Sequence, residues 1–317
     1  MHRKCFALSV SVALLLAFTA ASQAAQFEVE KTKEGLAVKL DGKLLTNYLI
    51  KSGAKPIFWP VIGAGGAEVT RGYPMRDATP DERDDHIHHR SFWFTHGNVN
   101  GVDFWAETAG HGNIIQREMV KAEGGKTAVI VTRNDWLGPD GKKHCEDLRT
   151  FTFHSDGDRW WVDCDIVVTA SEGPVTFGDT KEGSFGVRVA GTMKIDAKVG
   201  DGGTVVNSEG QTDGAAWGQA AKWVDYHGPA GKGVEGVAIL NHPSSFRFPT
   251  TWHVRTYGLF CANPFGLHDF QKSKEVDGSH TIPKGETMTL RHRVLFHKGD
   301  EKQGKVAESW ADYAKQK

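Results

Sequence analysis

In Arg159-Trp160-Trp161-Val162-Asp163-Cys164-Asp165-Ile166-Val167-Val168-Thr169, one set of alternating positions is apolar and the other carries Asp163 and Asp165. A period of two is the pattern of a β-strand with one buried face and one solvated face. Strands of this kind are typical of antiparallel sheets. The stretch therefore predicts an antiparallel β-fold.

Turn signals divide the rest of the chain into short strands. Residues 36–40 and 43–46 flank Asp41-Gly42, which tolerates the positive φ angles of a two-residue hairpin turn. Asp-Gly recurs at 140–141, 156–157, 201–202, 213–214 and 277–278. Alternation returns in Met288, Leu290, His292, Val294 and Phe296, and a helical stripe is present only near the end, in Val306, Trp310 and Tyr313. We predict an all-β fold, a large antiparallel β-sandwich with a short C-terminal helix, formed as one domain by residues 25–317.

The chain begins with a pattern typical of a signal peptide. A basic head, His2-Arg3-Lys4, precedes an apolar run over 6–21, and Ser22-Gln23-Ala24 offers small residues for cleavage after Ala24. The alternative is a membrane anchor, but the run is short for the ~20 residues that a span needs. We expect residues 1–24 to be removed, no integral membrane segment to remain, and the protein to be periplasmic or extracellular.

Charge and cysteine content narrow the function further. The net charge is −1 at pH 7, which gives no electrostatic reason to expect nucleic acid as a partner. After signal cleavage Cys145, Cys164 and Cys261 remain, and an odd number permits at most one disulfide. A disulfide-built scaffold is therefore excluded, and a hydrophobic core must supply the stability.

Histidines cluster within residues 83–107, at His86, His88, His89 and His96. Buried imidazoles cost free energy unless they are partnered, so this composition indicates a functional site. His86 and His88 point to one side of an extended segment and could chelate one divalent metal, zinc or manganese, completed by Asp84, Asp85 or His96. The alternative is a metal-free cluster that binds substrate hydroxyls.

Amides, carboxylates and aromatic rings follow the histidines. Asn98, Asn100, Asp103 and Trp105 combine planar hydrogen-bonding groups with an indole face, a mixture typical of sugar sites. The alternative is a tight Asn-Gly turn with a tryptophan in the core. In the segment 251–258, His253 and Arg255 share one face of a predicted strand, with Trp252 on the other. Asp179 and Glu182 add two carboxylates beside glycines, as a candidate acid and base or as a solvated turn.

These motifs resemble a known family when they are taken together. The segments are 85–91, 96–105, 177–183, 252–255, 258–260 and 263–266, and they are similar to the bacterial "PmoA family protein", a domain of unknown function. Ile87 stands where the family pattern His-Pro-His-His has proline. The family name implies a methane mono-oxygenase subunit, which is an integral membrane protein, and the exported sequence argues against that activity. At the level of fold, the chain is also similar to aldose-epimerase-type supersandwiches, a likeness that transfers no mechanism.

The sequence predicts a carbohydrate-active protein with two alternatives left open. As an enzyme it would cleave or isomerise a sugar, glycoside or keto-sugar. His96 or His253 would move a proton, and Asp179 or Glu182 would be the complementary carboxylate. His86, His88, His89, Arg90, Arg188 and Arg255 would bind substrate oxygens together with the amides and tryptophans above. The alternatives are a non-catalytic carbohydrate-binding protein and a metal-dependent enzyme that uses His86 and His88.

Overall fold

The structure is a computed structural model that describes residue 2, residues 26–198 and residues 200–317. The predicted signal peptide, apart from residue 2, lies outside the described residues. The strands are β1 (Phe27–Lys31), β2 (Gly35–Leu40), β3 (Lys43–Ser52), β4 (Lys55–Val61), β5 (Phe92–His96), β6 (Asn113–Glu123), β7 (Ala128–Leu137), β8 (Lys143–Ser155), β9 (Trp160–Thr169), β10 (Val175–Phe177), β11 (Gly183–Arg188), β12 (Thr204–Asn207), β13 (Trp223–Ala230), β14 (Gly233–Asn241), β15 (Trp252–Val254), β16 (Leu259–Ala262), β17 (His280–Ile282) and β18 (Thr287–Lys298). The helices are α1 (Leu267–Phe270) and α2 (Val306–Tyr313), with 3-10 turns at Gly191–Met193 and Asp213–Ala216.

Two eight-stranded antiparallel sheets form the predicted sandwich. The first has the order β1-β2-β3-β4-β5-β11-β16-β15 and the second β12-β13-β14-β18-β9-β8-β7-β6, while β10 and β17 form a small separate pair. Their inner faces meet in one aromatic core, where the Phe58 ring of the first sheet lies 4.8 Å from the Phe151 ring of the second. The predicted antiparallel all-β sandwich is confirmed.

The elements on which that prediction rested form as expected. Strand β9 alternates buried and half-buried residues along its whole length. Asp41 and Gly42 have φ angles of 49° and 75°, as a two-residue hairpin turn of positive φ requires. In α2, Val306 and Tyr313 are buried against the outer face of the second sheet, and Trp310 packs beside them.

Strand β4 carries two prolines inside the first sheet. Pro56 and Pro60 lack a donor for a strand ladder, yet β4 is an interior strand, between β3 and β5. Its register with β3 shifts twice, and it pairs with β5 only through Ile57 and Phe58. The prolines thus fall outside the two residues that pair with β5, which resolves the conflict.

Two further features follow from the described residues. Cys145, Cys164 and Cys261 are buried free thiols, so none of these three forms a disulfide. Among the described helices, none combines the length and the apolar character that crossing a membrane would take.

Candidate functional site

Strand register places four residues in one row on the outer face of the first sheet. His253 pairs with Cys261, Cys261 with Gly186, and Gly186 with Trp93. Directly paired residues point to the same side of a sheet, so the row shares one face. Arg188, two residues after Gly186 on β11, extends this face toward the histidine-rich loop.

Arg188 and His89 form the centre of this outer face. Nη1 of Arg188 lies 2.8 Å from Nδ1 of His89, and the two residues are 0% and 1% exposed. The His89 ring stacks on Trp93 at 5.6 Å, and the guanidinium carbon of Arg188 lies 4.6 Å from the ring centre of Tyr257. Because a guanidinium only donates, Nδ1 of His89 accepts, and the proton of the neutral ring is on Nε2.

Burial sets the charge state of this pair. It lowers the pKa of His89 well below 6.5, and the charge of Arg188 lowers it further. Burial, together with the nearby Arg71, lowers the pKa of Arg188 to about 9. Burial raises the pKa of Tyr257 to about 12, with Arg255 and Arg188 opposing that rise. At neutral pH the centre therefore carries a neutral imidazole, a guanidinium cation and a neutral phenol.

Arg71 fixes the loop that carries the histidines. Its Nη2 donates to the carbonyl oxygens of His86 at 2.8 Å and His89 at 3.1 Å, and its Nη1 donates to that of Asp85 at 3.0 Å. Nη1 also lies 3.2 Å from Oδ1 of Asp85. A buried cation thereby takes the place of regular secondary structure in satisfying the loop carbonyls.

A buried ion triad supports the same loop from its other end. Arg90 binds Glu107 through two hydrogen bonds, Nε to Oε1 at 2.8 Å and Nη2 to Oε2 at 2.6 Å, and Lys55 Nζ lies 3.1 Å from Oε1. Burial opposes ionisation of Glu107, but Arg90 and Lys55 outweigh it and lower its pKa to about 2. Burial lowers the pKa of Lys55 to about 8, and Glu107 limits that fall.

Several buried polar atoms at this face make no hydrogen bond within the protein. They are Nε2 of His89, Nε and Nη2 of Arg188, Nε1 of Trp93, Nε1 of Trp105 and both ring nitrogens of His253. A buried polar group left unpaired costs about 1–3 kcal/mol, so native proteins keep few of them. Apart from His253, these atoms are all donors, and the face therefore matches a ligand rich in acceptor oxygens.

The exposed His86 and the half-buried His88 cover this centre. His86 stacks on His89 at 4.8 Å and on Tyr257 at 5.4 Å, and His88 meets His89 edge-on at 4.5 Å. Burial, with smaller contributions from Lys55 and His86, lowers the pKa of His88 to about 4. The rings of His86 and His88 lie 5.7 Å apart, and among the described residues no third potential ligand joins the pair into a compact metal-binding group.

Three other predicted residues lie toward the β15 side of this face. His253 is buried, and burial, with Arg255 and Lys181, lowers its pKa to about 3. Arg255 lies over the Tyr257 ring at 5.2 Å. Glu182 is half-exposed, and its carboxylate lies 3.2 Å from Lys181 Nζ. Burial raises the pKa values of Tyr257 and Cys261, and the negative charge of Glu182 adds to the rise.

His96 and Trp252 point away from this face, into the core. On β5, His96 has the same parity as Phe92 and Phe94, and its ring lies 4.9 Å from that of Phe265. Both ring nitrogens make hydrogen bonds within the protein: Nδ1 lies 3.1 Å from Ser184 Oγ, and Nε2 lies 2.8 Å from the Gly178 carbonyl oxygen. Burial lowers its pKa to about 4. Trp252 donates Nε1 to the Ala221 carbonyl.

Four polar residues predicted for the site, Asp179, Asp103, Asn98 and Asn100, make hydrogen bonds to the backbone of turns. Asp179 accepts from the backbone N–H groups of His268 and Gly278 and contacts Nδ1 of His268. Asp103 accepts from two backbone N–H groups of the following turn, Asn98 accepts from the Gly101 N–H, and Asn100 accepts from the Thr176 N–H. Asn100 has a φ of 52°, so the tight-turn alternative describes the Asn-Gly pair.

Sequence reasoning missed Lys55, Arg71, Glu107 and Tyr257. No sequence signal marks Lys55 or Arg71: each is a fully buried cation, which is rare for a charged residue, but that burial is visible only in the structure. Tyr257 joins the site only through pairing of β16 with β11, far apart in sequence.

Comparisons with known proteins place the chain in a family. A search of curated proteins found no match to the chain. Among solved structures it is similar to the galactosidase domain of an alpha-galactosidase-sucrose kinase, AgaSK, with a TM-score of 0.35, 9% identity, and coverage of 87% of this chain and 40% of that chain. It is also similar to Slr1438 protein from Synechocystis sp. PCC 6803, with a TM-score of 0.33, 8% identity, and coverage of 90% of this chain and 100% of that one. The chain thus spans less than half the length of the galactosidase chain. A family model described as "Family of unknown function (DUF6807)" matches residues 35–311, and the chain belongs to this family.

Proposed function

We propose that the chain is an exported carbohydrate-active enzyme whose site is the outer face around Arg188 and His89. The observation that carries this proposal is the set of buried donor atoms that make no hydrogen bond within the protein, on His89, Arg188, Trp93 and Trp105; of these, Nη2 of Arg188 has an ion partner, Asp85 Oδ1 at 3.6 Å. Sugar hydroxyl, ring and carbonyl oxygens are acceptors that would satisfy them. A small carbohydrate is therefore the substrate class that the face fits best.

The aromatic rings at the same place favour a sugar over a simple anion. Tyr257 and Trp105 flank the Arg188–His89 pair, and indole and phenol faces pack against the C–H side of a sugar ring. An inorganic anion would need the guanidinium but no ring face. His86 covers His89, so substrate entry would require this exposed side chain to move aside.

Acid–base chemistry would come from the β15 side of the face. Glu182 is the candidate base because it is half-exposed and its carboxylate has only Lys181 as an ion partner among the described residues. His253, neutral at pH 7, would bind a substrate hydroxyl. Arg188 and the Nε2–H of His89 would stabilise negative charge that develops on a substrate oxygen during cleavage or isomerisation. The side chains of His96 and Asp179 are already hydrogen-bonded within the protein, and Glu182 is therefore the better candidate for proton transfer.

The predicted signal peptide and the residues of the outer face favour the same class of substrate. A signal peptide over residues 1–24 would deliver the protein to the periplasm or outside the cell, where small sugars and glycosides occur. The motif resemblance to PmoA family proteins includes His88, His89, Arg90, Glu182 and Arg255, which lie on or beside this face.

The test is a screen of the purified protein against glycosides and 3-keto-glycosides, with product sugars detected by mass spectrometry. We expect a new sugar product from one substrate class. Saturable sugar binding without any product would identify a non-catalytic binding protein instead. Absence of both binding and turnover across the panel would overturn the carbohydrate proposal.

A further inference from the structure

A second cluster of titratable side chains lies on the outer face of the other sheet. Asp225 and His227 are on β13, His297 is on β18, and Glu301 is in the segment between β18 and α2. Asp225 is fully buried. Its Oδ1 lies 2.6 Å from Nδ1 of His227, and its Oδ2 lies 2.7 Å from Nε2 of His297. The carboxylate thus contacts two imidazoles at once.

His297 is held rigidly as a supporting residue. Its Nδ1 lies 3.2 Å from the Lys298 carbonyl oxygen, so both ring nitrogens face acceptors and the ring donates from both. Two glycines make room for it. A Cβ at Gly236 would lie 2.1 Å from His297 Cε1, and one at Gly304 would lie 2.2 Å from Nδ1. An imidazole that orients a ligating carboxylate in this way is a recurrent feature around bound metals.

The remaining three side chains supply the ligands. One ligand atom each from Asp225, His227 and Glu301 lies within 4.8 Å of the other two. We propose that these three residues bind one divalent transition metal, zinc or manganese. One imidazole nitrogen and two carboxylate oxygens are a donor set that both ions accept, and three protein ligands leave a position for water.

A metal at this site would have a structural role. The site is on the second sheet, whereas the proposed sugar-binding face is on the first. Asp225 and His227 belong to the sheet, whereas Glu301 belongs to the segment that leads into α2. The same segment is also held by Arg159, whose Nη1 donates to the Gly304 carbonyl oxygen at 2.8 Å. A metal bridging Glu301 to β13 would stabilise the docking of the C-terminal helix. This inference is independent of the proposed carbohydrate activity.

The test is titration calorimetry of the tag-free, chelator-treated protein with zinc chloride and with manganese chloride. We expect one equivalent to bind and the melting temperature to rise. Glu301→Gln and His227→Gln should each weaken binding at least tenfold. Glu286→Gln makes the same change as Glu301→Gln at an exposed turn and should leave binding unchanged.

A second control separates this site from the histidine-rich loop. His86→Ala combined with His88→Ala should leave the affinity and the stoichiometry as in the wild type. Binding of less than a tenth of an equivalent would overturn the proposal, and the cluster would then be an ion network only. Loss of binding in the His86/His88 variant, or unchanged binding in both Glu301→Gln and His227→Gln, would overturn it as well.

Discussion

Nη1 of Arg188 lies 2.8 Å from Nδ1 of His89, and this contact fixes the chemistry of the imidazole. We predict that His89 is a neutral Nε2–H tautomer at pH 7 and stays neutral well below pH 6.5, because burial and Arg188 both lower its pKa. Long-range 1H–15N correlation spectra of the ring report this tautomer directly. An Nδ1–H pattern, or a charged ring at pH 7, would contradict the assignment.

Removing one charge from the ion triad of Arg90, Glu107 and Lys55 should reduce the stability of the protein. In Glu107→Gln the fully buried Lys55 and the partly buried Arg90 lose their counter-charge. Removing one partner of a buried ion pair costs about 3 kcal/mol or more, and we expect a loss of that size in the free energy of unfolding. Urea denaturation measures it. Glu123→Gln, at a side chain that is 65% exposed, is the matched control and should change stability by less than about 0.5 kcal/mol.

Buried histidines predict the pH dependence of stability. Burial lowers the pKa of His292 to about 3, so below pH 6.5 the unfolded chain binds a proton that the folded chain does not. Stability is therefore lost as the pH falls from 6.5 toward 3, by up to about 1.4 kcal/mol per pH unit for this one group. His227 and His297 have raised pKa values and oppose this trend.

His292→Gln isolates the contribution of this one group. We expect the variant to show a shallower decline of unfolding free energy between pH 6 and pH 5 than the wild type, by about 1 kcal/mol. The slope is read independently of any constant loss of stability caused by the substitution. Parallel curves for the two proteins would show that His292 does not titrate as burial requires.

Glu182 is the residue on which catalysis is predicted to depend. Glu182→Gln keeps the size and polarity of a half-exposed side chain and removes its capacity to carry a proton. We expect turnover of the substrate found by screening to fall about a hundredfold or more, with substrate binding retained. Glu172→Gln, 52% exposed in the loop before β10, is the control and should keep full turnover. Full turnover by Glu182→Gln would remove Glu182 from the mechanism.

The fold was predictable because local and global signals agree. Three local patterns each indicate an element that the sandwich contains: the alternation in β9, the Asp41-Gly42 turn and the apolar stripe of α2. The prolines of β4 do not fit this agreement, since prolines are typical of edge strands. The structure keeps β4 inside the sheet by limiting its pairing with β5 to two residues.

The site was only partly predictable, for a reason visible in β5. All five residues of this strand are buried, so its two faces cannot be told apart by polarity. His96, in the same sequence cluster as His89, points into the core while His89 lies over the outer face, and the polarity of β5 does not predict this difference. The partners Lys55 and Tyr257 come from strands and turns that meet only through sheet pairing. In contrast, Asp225 and His227 are two apart in one strand, a signal that could have been read from the sequence.

If the donors of Arg188 and His89 bind a sugar, then substitutions of His89 should weaken the affinity for the sugar identified by screening. His89→Phe keeps a ring stacked on Trp93 but removes both nitrogens, whereas His89→Gln keeps a donor and an acceptor. His154→Phe is the matched control, because His154 stacks on Trp161 at 5.5 Å on the second sheet. With folding verified by circular dichroism, calorimetry should show binding weakened about tenfold or more in His89→Phe, less in His89→Gln, and unchanged in His154→Phe. Wild-type affinity in a folded His89→Phe variant would show that His89 does not bind the sugar.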